Sequence, residues 1–358
     1  MTWYLREGNN YRVTPEGNVP ITKELPVGTY VIKLDPQGYY LERIEDFTLP
    51  AKLYGNTLAH SGRIFNTFKD RSGPTGVMLT GEKGSGKTLL AKHLSITSAE
   101  NGYSTIIVNA PFTDDGFHTL IQNIDQPAMV LFDEFEKVYD SDDQQTVLTM
   151  LDGIFNSKKL FILTCNDRWR VDVHMRNRPG RLYYMLDFEG LDTAFVREYC
   201  EDNLNNKEHI EKVCAVSLVF DRFNFDMLKA IVEEMNRYNE TPQQVLRMIN
   251  ARPEFSNDSN FDVKMFHNKR EILEEKVAPA VWEGNPLSPD GFEFNVKVPN
   301  LDRTNEKSPA EVWNEVSFFA EDLVKIDPNA GTFTFTNEDK WTVVLTRQKA
   351  KTYHYIDL

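Results

Sequence analysis

The sequence predicts an α/β core, a parallel sheet with helices on both faces, followed by a small helical domain and flanked by β-containing additions at both ends. Three patterns carry this prediction. Between about residues 51 and 191, apolar runs of strand length alternate with stretches of helical periodicity. Residues 192–253 keep helical spacing throughout. Residues 1–50 and 254–358 hold strand-like runs bounded by turn residues. Apolar strands separated by helices cannot pair as hairpins and need covering on both sides, which is the parallel-sheet arrangement.

In the first 50 residues, the runs 30–34 (Tyr-Val-Ile-Lys-Leu) and 38–41 (Gly-Tyr-Tyr-Leu) are rich in β-formers and broken by Asp35, Pro36 and Gly38. They read either as a small β-type piece or as an extended arm lying on the next segment of the chain. In the core, residues 76–80, 105–108, 129–132 and 160–164 read as strands. A helix follows the first through Leu89, Leu90, His93 and Leu94. Another spans 117–124, with Phe117, Leu120, Ile121 and Ile124 at i, i+3, i+4 and i+7, and a third spans 144–155. The helical domain divides into 193–204, 225–238 and 241–249, with Asp192 placed to cap the first and Pro242 at the first position of the third. From Arg252 the composition turns loop-rich. Near its end, 331–336 alternates strictly, 341–346 is rich in β-formers, and 337–340 reads as their hairpin loop.

Composition narrows the function classes. With 12% aromatic residues the chain is not a solvated tail. Its longest apolar runs fall far short of the roughly 18 residues of a membrane span, and the first eight residues lack the basic start and apolar core of a signal peptide. Net charge is −14, from 40 basic and 54 acidic residues, which argues against a protein built mainly to grip a phosphate backbone. Three cysteines without a CxxC pair fit ordinary buried thiols in a reducing, cytoplasmic interior rather than a disulfide framework or a zinc site.

The chemistry is carried by Gly81-Glu82-Lys83-Gly84-Ser85-Gly86-Lys87-Thr88, an unbroken G-x4-G-K-[ST] between a strand and a helix that continues at Leu89. Glycines let the loop close around phosphates, and its N–H groups with the helix N-terminus hold negative charge. Lys87 reaches the β/γ-phosphates and Thr88 offers a hydroxyl to Mg²⁺, so ATP with Mg²⁺ is the expected ligand. About 45 residues on, the strand 129–132 ends in Asp133 and Glu134. Asp133 is placed to hold Mg²⁺ through its water shell and Glu134 to orient and deprotonate the attacking water. Asn166 closes the strand of 160–165, where it either reaches the γ-phosphate and its water or simply turns the chain. Arg178 and Arg181 flank Pro179-Gly180, a geometry for projecting two guanidiniums at a neighbour's phosphate, or for ordinary surface ion pairs.

These motifs resemble those of an AAA+ ATPase of the AAA branch proper over about residues 50–250. The glycine loop is similar to its Walker A, residues 129–134 to its Walker B, Leu148-Thr149-Met150-Leu151-Asp152-Gly153 to its second region, Asn166 to sensor 1, and 178–181 to its arginine-finger box. The resemblance implies a P-loop NTPase core of residues 51–191 with a helical lid of 192–253. It implies a homo-oligomeric, usually hexameric ring, with Arg178 and Arg181 acting on the neighbour's ATP, and a protein partner remodelled or moved by hydrolysis. Tyr54, Gly55 and Asn56 fall where that family's chain wraps the adenine. Within the branch, residues 112–120 and 126–129 are most similar to the Bcs1-like group, with a general likeness to AAA proteins of tailed phages. The group's membrane helix is absent, and the acid pair is Asp-Glu where the group has Glu-Asp, so its substrate does not carry over. Phe112 is the candidate pore aromatic, without the family's usual Lys-aromatic-x-Gly setting. Lys229 and Arg237 are the cations at hand for a sensor 2 role. Two other classes stand beside the ATPase reading: a nucleotide-gated scaffold that hydrolyses slowly, and a DNA-linked loader, which the acidic balance disfavours.

Overall fold

The computed structural model describes residues 3–7, 10–14, 24–151, 158–172, 179–188, 190–220, 222–251, 259–300 and 309–348. Asp152, Gly153 and Arg178, which carry part of the sequence reading, lie outside the described residues. The chain divides into two compact units. The first comprises Met1–Ala51, Asn56–Thr80 and Lys87–Asp187; the second comprises Lys52–Gly55, Gly81–Gly86 and Phe188–Leu358.

The first unit opens with a short antiparallel pair, β1 (Trp3–Glu7) and β2 (Asn10–Thr14). Its centre is a seven-stranded sheet. The strands are β3 (Thr29–Asp35), β4 (Gly38–Ile44), β5 (Thr75–Gly81), β6 (Ser104–Val108), β7 (Ala128–Phe132), β8 (Lys159–Cys165) and β9 (Leu182–Phe188). Their order across the sheet is β4-β3-β6-β7-β8-β5-β9. The pairs β3–β6, β6–β7, β7–β8 and β8–β5 are parallel, so the α/β expectation with a mostly parallel sheet holds. The helices around it are α1 (Thr57–Asp70), α2 (Lys87–Glu100), α3 (Asp115–Asn123), the single turn α4 (Phe135–Val138) and α5 (Ser141–Leu151).

The N-terminal runs 30–34 and 38–41 are strands that join the central sheet. β3 and β4 form a hairpin through Gly38, at φ +119°, and β3 joins β6 in parallel through Thr29, Tyr30 and Val31. The hairpin is thus the outer edge of the sheet. β9 adds a strand at the other edge of the sheet, over the β-rich run Leu-Tyr-Tyr-Met-Leu-Asp-Phe, of which only Leu182 is buried. Its path is fixed by close backbone approach: a Cβ on Gly76 would come within 2.1 Å of the Arg181 carbonyl oxygen. Farther along, Thr80 Oγ1 donates to an Asp187 carboxylate oxygen.

Core residues of this unit include Ile32, Met78, Val130, Phe132 and Leu163, each at or below 1% exposure. Burial of such side chains is worth about 1.5–3 kcal/mol each. Phe112 belongs to this core's margin, with its ring 5.1 Å from Tyr39 and 5.8 Å from Phe117. Lys159 is fully buried at the start of β8 and donates to the carbonyls of Ile124 (2.6 Å) and Gln126 (2.9 Å), closing the end of α3. Burial pushes its ammonium down to about 8. The acidic run after β7 starts α5. Asp140 accepts from the N–H groups of Asp142 and Asp143, and both acids sit in the first helical turn, where the dipole favours them.

The second unit has helices α6 (Thr193–Asn203), α7 (Ile210–Ser217), α8 (Phe225–Tyr238) and the turn α9 (Pro242–Val245). Asp192 caps α6 by accepting from Phe195 N–H, and Thr241 with Gln244 forms a capping box around Pro242. The expected third helix stops at Val245, since the next bonds tighten to i→i−3 (Arg247 to Gln244, Met248 to Val245).

After the helices come β10 (Asn260–His267), β11 (Arg270–Glu271), β12 (Val277–Ala278), β13 (Val281–Glu283), β14 (Phe292–Pro299), β15 (Glu311–Phe318), β16 (Leu323–Asp327), β17 (Thr332–Thr336) and β18 (Trp341–Arg347). They form two sheets, β12-β14-β15 and β11-β10-β18-β17-β16, with β13 paired to β10. β17 and β18 are the expected hairpin, with Lys340 left-handed at φ +62° in the turn. The sheets meet through phenylalanines, as where Phe292 packs edge-on against Phe335 at 5.1 Å. One buried cluster runs from Val196 of α6 through Leu228 and Ile231 of α8 to Phe294, Phe333 and Leu345.

Gly76→Ala should therefore destabilise the protein by about 1–3 kcal/mol, the usual cost of overpacking, because its methyl has no room beside the Arg181 carbonyl. Gly62→Ala, on α1 with open space around it, should instead add about 0.5–1 kcal/mol. Urea midpoints of the two variants check both signs; a neutral Gly76→Ala would contradict the β5–β9 packing.

Candidate functional site

β5, β8 and β7 lie side by side, and parallel pairing brings their carboxyl ends to one edge of the sheet: Thr80 stands opposite Cys165, and Phe132 opposite Leu163. The residues just past those ends are the glycine loop, Asn166, and the pair Asp133 and Glu134. In open α/β sheets this edge is where ligands bind.

Within the first unit, a buried hydroxyl connects two of these ends. Thr164 Oγ1, on β8, donates to Asp133 Oδ1 at 2.6 Å and accepts from the Glu134 N–H at 2.8 Å. Glu134 sits in the left-handed region at φ 48°, ψ 47°, which turns the chain sharply into α4. Its Oε1 accepts from Lys137 Nζ at 2.5 Å. Glu136, two residues on and 5% exposed, accepts through Oε1 from both the N–H (3.1 Å) and the Nδ2 (3.0 Å) of Asn166.

Lys87 opens α2 and is 6% exposed. Burial lowers its ammonium below the usual lysine range, while the negative charges of Glu136, Cys165 if ionised, Asp133 and Glu134 work in the opposite direction. Burial, and next the neighbouring Glu136, push the Cys165 thiol up to about 12, so it stays neutral. Thr88 is exposed and Leu89 half-buried on the same first turn. Thr88 and Asp133 offer a hydroxyl and a carboxylate, hard oxygen donors that suit Mg²⁺. Among the described residues no larger His/Cys/Asp/Glu group forms a metal cage. Magnesium, which keeps several of its waters, needs none.

Within the second unit, the loop Gly81–Gly86 is shaped by glycines at positive φ (+134° at Gly81, +74° at Gly84, +103° at Gly86). At Gly84 a side chain is excluded twice over: the backbone is left-handed, and a Cβ would fall 2.6 Å from Asp226 Oδ2. The Gly84 carbonyl accepts from Phe225 N–H at 3.0 Å, and Arg222 donates to Glu82 Oε1 at 2.8 Å. Lys83 is exposed, and Ser85 Oγ is buried without a hydrogen-bond partner among the described residues. Asn224, which caps α8, and Asp226 on its first turn are therefore part of the loop's setting. An Asn just before an apolar-periodic stretch is a sequence signal for a helix start, and Asn224 fits it. Nothing local marks its contact with Gly84.

Tyr54 is held in the same unit. Its hydroxyl donates to Asp202 Oδ2 and accepts from Asn203, and its ring lies 5.8 Å from Phe195 and 5.2 Å from Tyr199. Those two rings pack on Phe225, whose N–H meets the loop. Gly55 backs onto Phe195 at φ +66°, and Asn56, in the first unit, stands ahead of α1 with its carbonyl accepting from His60. Lys229 and Arg237 form ordinary helix-surface pairs with Glu233 and Glu234.

Arg181 is not brought to the acid pair. It lies beside Gly76, at the amino end of β5, while Thr80 at the other end meets Asp187. Gly76 and Thr80 are four residue steps apart along the strand, about 13 Å.

Residues 77–189, under half of the chain, match the model of the ATPase family associated with various cellular activities (AAA). The matched stretch begins inside β5 and ends just past β9. It supports an AAA+ ATPase with ATP-binding and ATPase activity in general. No curated protein matches the chain. Among the described residues no helix is long and apolar enough to cross a membrane.

Thr164→Val keeps volume but removes both hydrogen bonds, and it should cost about 1.5–3 kcal/mol because one of them reaches a carboxylate. Thr164→Ser, which retains the hydroxyl, should recover most of the loss. Urea unfolding of the two variants measures this; equal midpoints would remove Thr164 from the site's architecture.

Proposed function

We propose that the chain is one subunit of a ring-forming, Mg²⁺-dependent ATPase, usually hexameric, that couples hydrolysis to remodelling or moving a protein partner. The observation that carries the reading is the convergence at adjacent strand ends of Lys87, the Asp133–Glu134 pair fixed by Thr164, and Asn166. The family match over the same strands supports it. Within that family, residues 112–120 and 126–129 favour a relative of the Bcs1-like group acting in the cytoplasm.

In this reading the loop 81–86 and the α2 N-terminus take the triphosphate, and Lys87 balances charge on its β/γ oxygens. Thr88 and Asp133 hold Mg²⁺, which supplies further neutralisation of phosphate charge. Glu134 accepts the proton of the attacking water and Asn166 orients that water or the γ-phosphate. Tyr54, Gly55 and Asn56 border the adenine. Arg178 and Arg181 act on the nucleotide of a neighbouring subunit. Arg181 stands at the opposite end of β5 from its own acid pair, which agrees with a role in trans. A net charge of −14 favours protein over nucleic acid as the partner.

One contact favours the slower, nucleotide-gated scaffold as a second reading: the Glu134–Lys137 pair neutralises the carboxylate that must accept the proton. Steady-state turnover decides between the readings. Glu134→Gln should retain ATP binding and lose hydrolysis; undiminished turnover would sink the assignment of Glu134. Lys137→Ala should raise turnover if the pair restrains the enzyme, and leave it unchanged if it does not. For the trans role, subunits carrying both Arg178→Ala and Arg181→Ala are mixed with Glu134→Gln subunits. Activity at mixed interfaces is expected, and silence at every ratio counts against it.

A further inference from the structure

Glu136 is a third carboxylate at this strand edge, and the proposed hydrolysis gives it no part. It is 5% exposed, on the single turn after the acid pair. One oxygen, Oε1, accepts from both the backbone N–H and the side-chain Nδ2 of Asn166. The other, Oε2, is buried without a hydrogen-bond partner among the described residues. A buried carboxylate is unfavourable for folding unless it is paired, and the groups that meet it here, Asn166 and the Lys87 charge, belong to the proposed site.

Its effect on Asn166 is specific. An ionised carboxylate only accepts, so the amide must present Nδ2 to Glu136, and Oδ1 must then face the other way. The backbone bond fixes Asn166 at the same oxygen, so main chain and side chain are oriented together. Without that acceptor the amide could flip and exchange its donor and acceptor at the nucleotide.

We propose that Glu136 is a positioning residue: its carboxylate fixes the orientation of the Asn166 amide, and it acts on ATP hydrolysis only through Asn166. The proposal rests on the reading that Asn166 works at the nucleotide. Glu136 also contributes the leading negative charge beside the buried Lys87 ammonium, which accords with its place within the phosphate site.

The test is steady-state MgATP hydrolysis by the full chain for Asn166→Ala, Glu136→Leu, Glu136→Gln and the double variant Glu136→Leu/Asn166→Ala. Glu136→Leu keeps bulk and loses the acceptor. It should lower kcat about tenfold to a hundredfold, the scale of a misplaced group, and leave KM nearly unchanged. The double variant should be no slower than Asn166→Ala, because the second loss acts through the first. Glu136→Gln keeps an acceptor oxygen and should stay within a few-fold of the wild-type kcat; it also stands in if Glu136→Leu does not fold.

Multiplicative losses in the double variant would overturn the proposal. So would a normal kcat in Glu136→Leu, or a Glu136→Gln as slow as Asn166→Ala. An Asn166→Ala enzyme with normal kcat would instead overturn the reading of Asn166, and the proposal with it.

Discussion

The parallel pairing of β8 with β7 on one side and β5 on the other is the constraint on which the site depends. Register decides which residues leave the sheet together. With Thr80 opposite Cys165 and Phe132 opposite Leu163, the chain emerges from three strands at one level. The Thr164 hydroxyl then fixes Asp133 and the Glu134 N–H across the strand boundary, and Glu136 returns across the same boundary to Asn166. A one-residue slip of β8 would turn Thr164 to the other face and break each of these bonds.

This edge is also crowded with negative charge. Lys87 is buried near Asp133, Glu134 and Glu136, and its own burial already works against its charge. A triphosphate added to three carboxylates would be repelled, which makes its magnesium complex the form the residues suit. The glycine loop is set from its own unit through Phe225, Asp226 and Arg222.

Much of the core could be read from the chain alone, for identifiable reasons. Buried parallel strands are short continuous apolar runs, and amphipathic helices repeat their apolar positions, so β5 to β8, α2 and α3 announced themselves. The glycine loop was legible because close approach to phosphate demands particular residues at fixed spacing. β9 was not singled out, although Leu-Tyr-Tyr-Met-Leu-Asp-Phe is rich in β-formers; it lies at the sheet edge, where only Leu182 is buried. Glu136 was invisible for another reason: its meaning lies in a contact 30 residues away, and locally it is one more acid after a strand. The run Asp140 to Asp143 is ambiguous in the same way, because acids in solvent and acids capping a helix look alike in sequence.

The central claim is that this strand edge binds a nucleotide through Lys87. Titration calorimetry with MgATP on the wild-type chain and on Lys87→Ala tests it without reference to turnover. Saturable one-to-one binding by the wild type, lost in a Lys87→Ala chain that still melts cooperatively, is the predicted result. Equal affinity in the two proteins, or no binding by the wild type, would contradict it.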